Sequence, residues 1–112
     1  MTTDRELLEL AAKAAGIEYK IELEQYLVLT SDGGDTYYWN PLRSDGDALR
    51  LAVKLRMEVG NYGATKLAVA TVIVAGSPGV IRAEEYYEEG DPYAATRRAI
   101  VRAAASIGKE LK

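Results

Sequence analysis

The pattern of apolar and polar positions predicts three helices with strands between them. Near the start of the chain, apolar residues recur three and four positions apart, which is a helical spacing, at Leu7, Leu8, Ala11, Ala14 and Ala15. Thr3 and Glu6 have the spacing of a capping box, which satisfies free amides at a helix start. Gly16 is suited to end the helix in a left-handed conformation. A first helix is therefore predicted between Thr3 and Gly16.

The period of the pattern then changes to that of strands. Apolar and charged residues alternate over 17–23, and a second apolar stretch covers 26–30. These stretches form either two strands joined near Glu24 and Gln25 or one long bent strand, and we favour the break. Residues 31–35, Ser-Asp-Gly-Gly-Asp, predict a hairpin turn, because Gly and Asp tolerate the backbone angles of such turns. A third strand is expected over 36–39.

A second helix is predicted from Asp45 to Val59. Pro41 ends the preceding strand because it cannot donate a hydrogen bond to a neighbouring strand. Ser44 is the expected cap, with Asp47 at the third position of the helix. Gly60 is expected to close the helix. The residues expected to face the core are Ala48, Leu49, Ala52, Val53, Leu55 and Val59.

The last part of the chain predicts a buried hairpin followed by a helix. Residues 67–75 are apolar on both faces of a strand, which is typical of the interior of a covered sheet. Residues 76–79, Gly-Ser-Pro-Gly, predict a turn to a partner strand over 80–87. Asp91 as cap and a proline at the first position predict a helix over 92–110. Its expected inward-facing residues are Tyr93, Ile100, Ala103, Ala104, Ile107 and Leu111.

The resulting order, α-β-β-β-α-β-β-α, predicts an α+β fold in a single domain over residues 1–112. Hairpins between helices indicate mostly antiparallel pairing, with about five strands in the sheet. The helices are sufficient to cover both faces of one sheet. We therefore expect a three-layer α-β-α sandwich.

Composition excludes several kinds of chemistry. The chain has 112 residues, no His, no Cys and a net charge of 14 − 17 = −3. It therefore contains no His general base, no thiol nucleophile and no His or Cys ligand for zinc. Asp45 and Asp47, with Asp35, come nearest to a cation site, but helix capping accounts for both Asp45 and Asp47. We predict no catalytic residue, no metal and no cofactor, and an enzyme using carboxylates with Mg²⁺ is the least favoured function.

The sequence predicts a cytoplasmic protein with no membrane partner. Its longest apolar run, residues 67–75, has about half the length of a membrane-spanning helix. The first ten residues include three acids and lack the apolar segment of a signal peptide. The acidic net charge argues against binding to duplex nucleic acid.

Two tyrosine-rich groups are candidates for binding a partner or ligand. The chain has no Phe, so its aromatic content consists of eight Tyr and one Trp, side chains that suit interfaces. The first group is Tyr37, Tyr38, Trp39 and Asn40. Its alternative, which we favour, is a core Trp followed by a turn, with Tyr38 and Trp39 on opposite faces of the strand.

The second tyrosine-rich group is Tyr86 and Tyr87, which glutamates flank at positions 84, 85, 88 and 89. Acid-flanked tyrosines suit a surface that meets a basic partner. They equally suit an edge strand protected by charge against aggregation. These two interpretations remain open.

Three arginines, Arg97, Arg98 and Arg102, form a basic group on the last helix. Guanidinium groups bind phosphate or carboxylate in a bidentate manner, so these residues are candidates for binding an anion. They offer an alternative function, the binding of a nucleic acid or nucleotide. The interpretation that we favour is that they pair with the glutamates of 84–89 or face solvent.

Three segments occur in an order that characterises a known family. They are Tyr38-Trp39-Asn40-Pro41-Leu42, Asp-Gly-Asp-Ala-Leu-Arg-Leu-Ala-Val-Lys-Leu over 45–55, and Asp-Pro-Tyr-Ala-Ala-Thr-Arg-Arg-Ala-Ile-Val-Arg-Ala-Ala-Ala over 91–105. From residue 26 onward this order resembles the phage ABA-sandwich domain, a family of small bacteriophage and prophage proteins with layered α-β-α folds. The resemblance implies that fold and the host bacterial cytoplasm. The family has no settled reaction, so no catalytic residue transfers to this sequence.

Together these features predict a phage or prophage accessory protein. The expected role is a non-catalytic protein-interaction or ligand-binding module. Its expected partners are itself, as a homodimer or higher oligomer, and a phage or host protein.

Overall fold

The computed structural model of the chain describes residues 3–19, 21–22, 27–30, 36–74 and 79–111. Its helices are α1 (Asp4–Ala15), α2 (Asp45–Lys54) and α3 (Pro92–Glu110). Its strands are β1 (Ile21–Glu22), β2 (Leu27–Thr30), β3 (Thr36–Trp39), β4 (Glu58–Tyr62), β5 (Leu67–Ile73) and β6 (Val80–Tyr86). The predicted α+β class is confirmed.

Both ends of α1 form at the signals present in the sequence. The N–H of Glu6 donates to Thr3 Oγ1 at 3.2 Å, and the reciprocal bond of the capping box is present. At the other end Gly16 has a left-handed φ of 69°. The N–H of Ile17 donates to the carbonyl oxygen of Ala12 at 2.9 Å, which closes a Schellman motif. The predicted first helix is confirmed.

Helix α2 ends at Lys54, so the predicted extension to Val59 is wrong. Arg56 takes a left-handed φ of 56°, and the N–H of Met57 donates to the carbonyl oxygen of Ala52 at 2.9 Å. This is the same Schellman ending as in α1, with an arginine at the left-handed position. Because a side chain disfavours that conformation, the sequence offers no recognisable stop signal here.

The residues after α2 form β4 instead of a last helical turn, which adds one strand to the predicted order. The buried face of α2 contains Ala48, Leu51 and Ala52. Leu49 and Val53 are 64% and 68% exposed, so their predicted core positions are wrong. The buried residues follow the i, i+3, i+4 spacing of one narrow face, whereas the predicted apolar stripe was too wide.

The strands form two antiparallel sheets, β1-β2-β3 and β4-β5-β6. Strands β1 and β2 pair with Ile21 opposite Val28, so the chain reverses between them and the favoured break is confirmed. The alternation that starts at Ile17 becomes a strand only at β1. The predicted turns at Glu24–Gln25, at 31–35 and at 76–78 lie outside the described residues.

Helix α3 packs on one face of the β4-β5-β6 sheet and against α1. Small side chains form this core, among them Ala68 and Ala70 on β5 and Ala99 and Ala103 on α3, all fully or almost fully buried. At the crossing of α1 and α3, a β-carbon on Gly108 would overlap the backbone carbonyl of Leu10. The two helices therefore approach each other more closely than ordinary side chains would permit.

The opposite face of the β4-β5-β6 sheet is called the open face below. It carries the even-numbered residues of β4 and β6 and the odd-numbered residues of β5, because side chains alternate along a strand. Its large exposed apolar residues are Tyr62, Ile73, Val80 and Tyr86. The predicted central strand is confirmed as β5, but in the described part of the chain the predicted helices on both faces are not confirmed. The reason is that α1 packs on α3 and not on the open face.

Within the described residues, no helix has the length and apolar character needed to cross a membrane.

Candidate functional site

Trp39 and Asn40 build the turn from β3 into α2. Trp39 is only 4% exposed and belongs to the core. The backbone N–H of Asn40 donates to Asp47 Oδ2 at 3.0 Å, and Asn40 Oδ1 accepts a hydrogen bond from the N–H of Leu42 at 2.9 Å. The favoured alternative, a core Trp followed by a turn, is therefore confirmed. Both residues are buried and are not accessible to a partner.

The other two members of the first group are accessible. Tyr37 is 47% exposed and Tyr38 is 66% exposed. Tyr38 and Trp39 lie on opposite faces of β3, as the alternation predicted. Tyr38 thus keeps the properties of an interface residue, whereas its neighbour Trp39 is part of the core.

The second aromatic group is divided between two environments. Tyr86 is 69% exposed on the open face. The hydroxyl of Tyr87 donates to Asn61 Oδ1 at 2.7 Å, and Asn61 Nδ2 donates to Thr96 Oγ1 at 3.0 Å. Tyr87 therefore joins the end of β6 to β4 and α3, and only Tyr86 faces outward.

Arg97 lies apart from the other two arginines of the basic group. Its Nε donates to the carbonyl oxygen of Leu42 at 2.9 Å, and it forms an ion pair with Asp45 at 2.7 Å. Its side chain is only 17% exposed. Arg97 joins α3 to the start of α2, so an anion bound to the other arginines would not contact it.

Arg98 and Arg102 share the carboxylate of Glu85. Arg98 lies 3.8 Å from Glu85 Oε1 and 3.1 Å from Asp4 Oδ1. Arg102 forms an ion pair with Glu85 Oε2 and donates to the carbonyl oxygen of Glu84 at 2.8 Å. The favoured pairing with glutamates of 84–89 is confirmed for these two arginines and is wrong for Arg97, which pairs with Asp45 and is largely buried.

Two further cations lie beside them that the sequence analysis missed. Arg82 on β6 and Lys109 on α3 line the same cavity of about 250 Å³ as Arg98 and Arg102, between α1, β6 and α3. Lys109 could have been found from the helical spacing of 98, 102 and 109. Arg82 could not, because only the tertiary placement of β6 beside α1 and α3 brings it to the cavity, although strand alternation puts it on the face of the sheet away from α3.

An apolar groove of about 570 Å³ lies between α2, β4 and the start of α3, and it is called the α2–β4–α3 groove below. Three exposed apolar side chains from three different elements surround it: Leu49 is 64% exposed, Val59 42% and Tyr93 70%. Buried Ala48 and Ile100 also contribute to its wall. Apolar concavities of this size are the usual form of small ligand and side-chain binding sites.

Polar pairs at the groove hold its three elements in place. The Asp45–Arg97 ion pair connects α2 to α3, and the hydrogen bond from Asn61 to Thr96 connects β4 to α3. Each of these polar groups already has a partner across the groove. The groove therefore offers an apolar surface between fixed walls, and its contribution to recognition is mainly the burial of apolar area.

Sequence analysis missed this groove because it assigned its exposed residues to the core. Tyr93 was expected to face inward and is 70% exposed, and Leu111 at the other end of α3 is 44% exposed, so both predictions are wrong. Val59 was assigned to α2 and lies on β4. One signal in the sequence could have revealed the groove. The apolar stripe on α2 is wider than the face that one helix buries, so an apolar residue at its edge, Leu49, was bound to be exposed.

Among the described residues, no three acidic side chains are arranged to hold a metal ion. Asp45 contacts Arg97, whereas Asp47 accepts hydrogen bonds from the backbone of Asn40 and from Arg50.

The fold and surface define a class only, a small α+β protein with an apolar groove. No family model, curated protein or solved structure matches the chain.

Proposed function

We propose that the chain is a non-catalytic binding module whose α2–β4–α3 groove receives apolar side chains of a partner protein. One observation carries the proposal, namely that Leu49, Val59 and Tyr93 are exposed around a single concavity. Single exposed apolar side chains are normal on protein surfaces, whereas a converging group marks an interaction site.

The energetics of such a site favour modest affinity. Complete burial of one large apolar side chain contributes about 1.5–3 kcal/mol relative to full exposure. The three exposed residues are already partly covered, and association itself costs several kcal/mol. We therefore expect a partner segment that inserts one or two apolar side chains and binds with a Kd in the micromolar range.

Selection from a random peptide display library tests the proposal. We expect peptides with apolar residues to be enriched on the wild-type protein and to bind it in fluorescence polarisation measurements. Leu49→Asp should weaken this binding about tenfold or more, since loss of one apolar contact and burial of a charge exceed 1.4 kcal/mol.

Val53→Asp is the matched control. Val53 lies one turn further along α2, is 68% exposed and does not line the groove. Its substitution should change the peptide Kd by less than about twofold. Peptides that bind wild type and Leu49→Asp equally, or the absence of any enriched peptide, would refute the groove as the binding site. Circular dichroism establishes that each variant is folded.

The phage context belongs to the same proposal. Its support is the order of the three segments that resemble the phage ABA-sandwich family, from the Trp-Asn-Pro turn to α3. The family's three-layer arrangement would have to form around the β1-β2-β3 sheet, because the open face of the other sheet is exposed in the described residues. A solution structure of the full chain without a helix on each face of one sheet, or a gene far from any phage genes, would contradict this assignment.

A second candidate function is the binding of a phosphate-bearing ligand at the basic cavity. Its support is that Arg82, Arg98, Arg102 and Lys109 line one cavity. Against it, Glu84, Glu85 and Asp4 already pair with these arginines, so an anion must compete with carboxylates.

A labelled single-stranded oligonucleotide titrated at several salt concentrations tests the second candidate. If the cavity binds phosphates, log K should fall with log salt by about 0.7 per contacted phosphate. The double variant Arg98→Ala/Arg102→Ala should abolish binding, whereas Arg43→Ala/Lys54→Ala, which removes the same charge elsewhere, should retain the salt slope. Equal binding by both double variants, or none by wild type, eliminates this function.

A further inference from the structure

The open face of the β4-β5-β6 sheet has an ordered arrangement of side chains. Directly paired residues on neighbouring strands point to the same face, so the register defines rows across the sheet. One row is Tyr62–Leu67–Tyr86, and a second is Glu58–Thr71–Arg82; the row between them is Gly60–Val69–Glu84. The first row is apolar and aromatic, and the second has opposite charges at its two ends. A further pair, Ile73 and Val80, extends the apolar surface beyond the charged row.

These rows are complementary to themselves. A twofold axis that runs along β5 between two stacked copies places β4 of one copy over β6 of the other. Glu58 of each copy then faces Arg82 of the other copy, where it joins Glu84, which already pairs with Arg82 within its own chain at 3.4 Å. The same operation places Tyr62 over the second copy's Tyr86 and stacks Leu67 on itself. In this arrangement opposite charges face each other and apolar groups face apolar groups. The strands of the two copies need no shift along their length to achieve this.

The geometry of the face permits such stacking. Sheets pack face to face about 10 Å apart with strands about 30° from parallel, an angle that the dimer reaches when β5 of each copy is inclined to the twofold axis by about half of it. The aromatic ring of Tyr62 lies against Gly60, with its hydroxyl 3.0 Å from the position of a β-carbon there. This ring fills the gap that glycine leaves in the sheet. Val69 in the centre of the face is only 4% exposed, so neighbouring side chains already cover it and the surrounding residues would make the contacts with a second copy.

We propose that two copies of this chain associate through the open face in the twofold arrangement described above. The result is a four-layer α-β-β-α dimer in which the groove stays on the outside, whereas Arg82, which also lines the basic cavity, lies at the interface. Three strands of up to seven residues provide a footprint of roughly 300 Å² per copy, compared with about 800 Å² for a standard interface. The dimer is therefore weak and depends on protein concentration.

Sedimentation velocity from about 5 to about 500 µM protein tests the proposal, because a weak dimer gains population with concentration. We expect wild type to shift from monomer to dimer over this range. Glu58→Arg and Arg82→Glu should each remain monomeric, because each places like charges opposite one another at two positions of the dimer. Both residues are exposed, so neither substitution disturbs the core.

An equimolar mixture of the two charge variants is the decisive measurement. In a heterodimer of Glu58→Arg with Arg82→Glu, both facing pairs again have opposite charges, so association should return. A wild type that is monomeric throughout overturns the proposal. So does a dimer that both substitutions leave intact, or a mixture that stays monomeric.

The dimer and the groove can be tested independently. Ile73, which is 78% exposed on the open face, lies on a different element from every residue around the groove. Ile73→Asp should prevent dimer formation and leave the peptide Kd unchanged. Leu49→Asp should have the opposite effect. Failure of one proposal therefore leaves the other standing.

Discussion

At the scale of single residues, the two Schellman endings show how one backbone motif can be obvious or hidden in a sequence. Gly16 and Arg56 occupy the same left-handed position after α1 and α2, with φ of 69° and 56°. Glycine adopts this conformation without steric penalty, whereas an L-residue with a side chain loses about 1–2 kcal/mol there. The predicted end of α1 was confirmed and that of α2 was wrong for this reason.

The strain at Arg56 leads to a stability prediction. Arg56→Gly should raise the free energy of unfolding by about 0.5–1 kcal/mol, after allowance for the extra freedom of glycine in the unfolded chain. Arg56→Ala keeps a β-carbon and should not give this gain. Urea unfolding followed by circular dichroism measures both.

The reciprocal change completes this test. Gly16→Ala should lower the free energy of unfolding by about 1 kcal/mol. A β-carbon at Gly16 meets no atom within 4 Å, so the effect is one of backbone conformation alone. Equal stability of Arg56→Gly and Arg56→Ala would mean that the left-handed backbone at that position carries no strain.

The hydrogen bonds of buried Asp47 show that the polar residues near the Trp-Asn-Pro turn have a structural role and do not form a binding site. Its carboxylate is one of two buried polar or charged groups among the described residues, and the other is Asn40, to which it is hydrogen-bonded. Ser44 caps α2 through the N–H of Asp47 at 3.1 Å. The candidate site at Tyr37–Asn40 is thereby reduced to its two tyrosines.

At the scale of elements, the contact of α1 with α3 depends on the absence of a side chain at Gly108. Gly108→Ala would place a methyl group on the carbonyl of Leu10, which belongs to the backbone of α1 and cannot move alone. We expect a loss of about 2 kcal/mol or more, the upper part of the range for overpacking. Urea unfolding measures the loss.

Gly46→Ala is the control of opposite sign. Gly46 lies in α2, and its β-carbon would meet only the guanidinium group of Arg50, at 3.3 Å. That group is the far end of a side chain that is 74% exposed, so a small shift relieves the contact, although the shift loosens the ion pair of Arg50 with Asp47. Alanine favours the helix over glycine by up to about 1 kcal/mol, and we expect a small gain in stability. A loss in both variants would show that the effect at position 108 is not specific to the helix contact.

At the scale of the whole molecule, the groove is separate from the other two candidate sites, whereas the basic cavity and the open face share Arg82. The groove lies between α2, β4 and α3, the basic cavity lies between α1, β6 and α3, and the open face lies on the side of the sheet away from α3. Arg97 and Arg98 are neighbours in sequence, yet they line the groove and the cavity respectively. Their side chains point about 100° apart around α3, which is why one basic group in the sequence becomes two unrelated places in the fold.

The sequence by itself determined the elements whose signals are local. The capping box of α1, the proline start of α3, the turn at Asn40 and the apolar centre of β5 all depend on residues close together in the chain, and each is found where it was predicted. Composition likewise excluded His and Cys chemistry without any structure.

Only the tertiary structure decided which apolar residues are buried and which cations meet. Leu49, Val59 and Tyr93 have the same apolar character as core residues, and their exposure depends on how α2 and β4 are placed beside α3. Arg82 joins Arg98 and Arg102 because the fold places β6 beside α1 and α3. Burial and convergence are properties of contacts between distant segments, so hydrophobic pattern alone does not specify them.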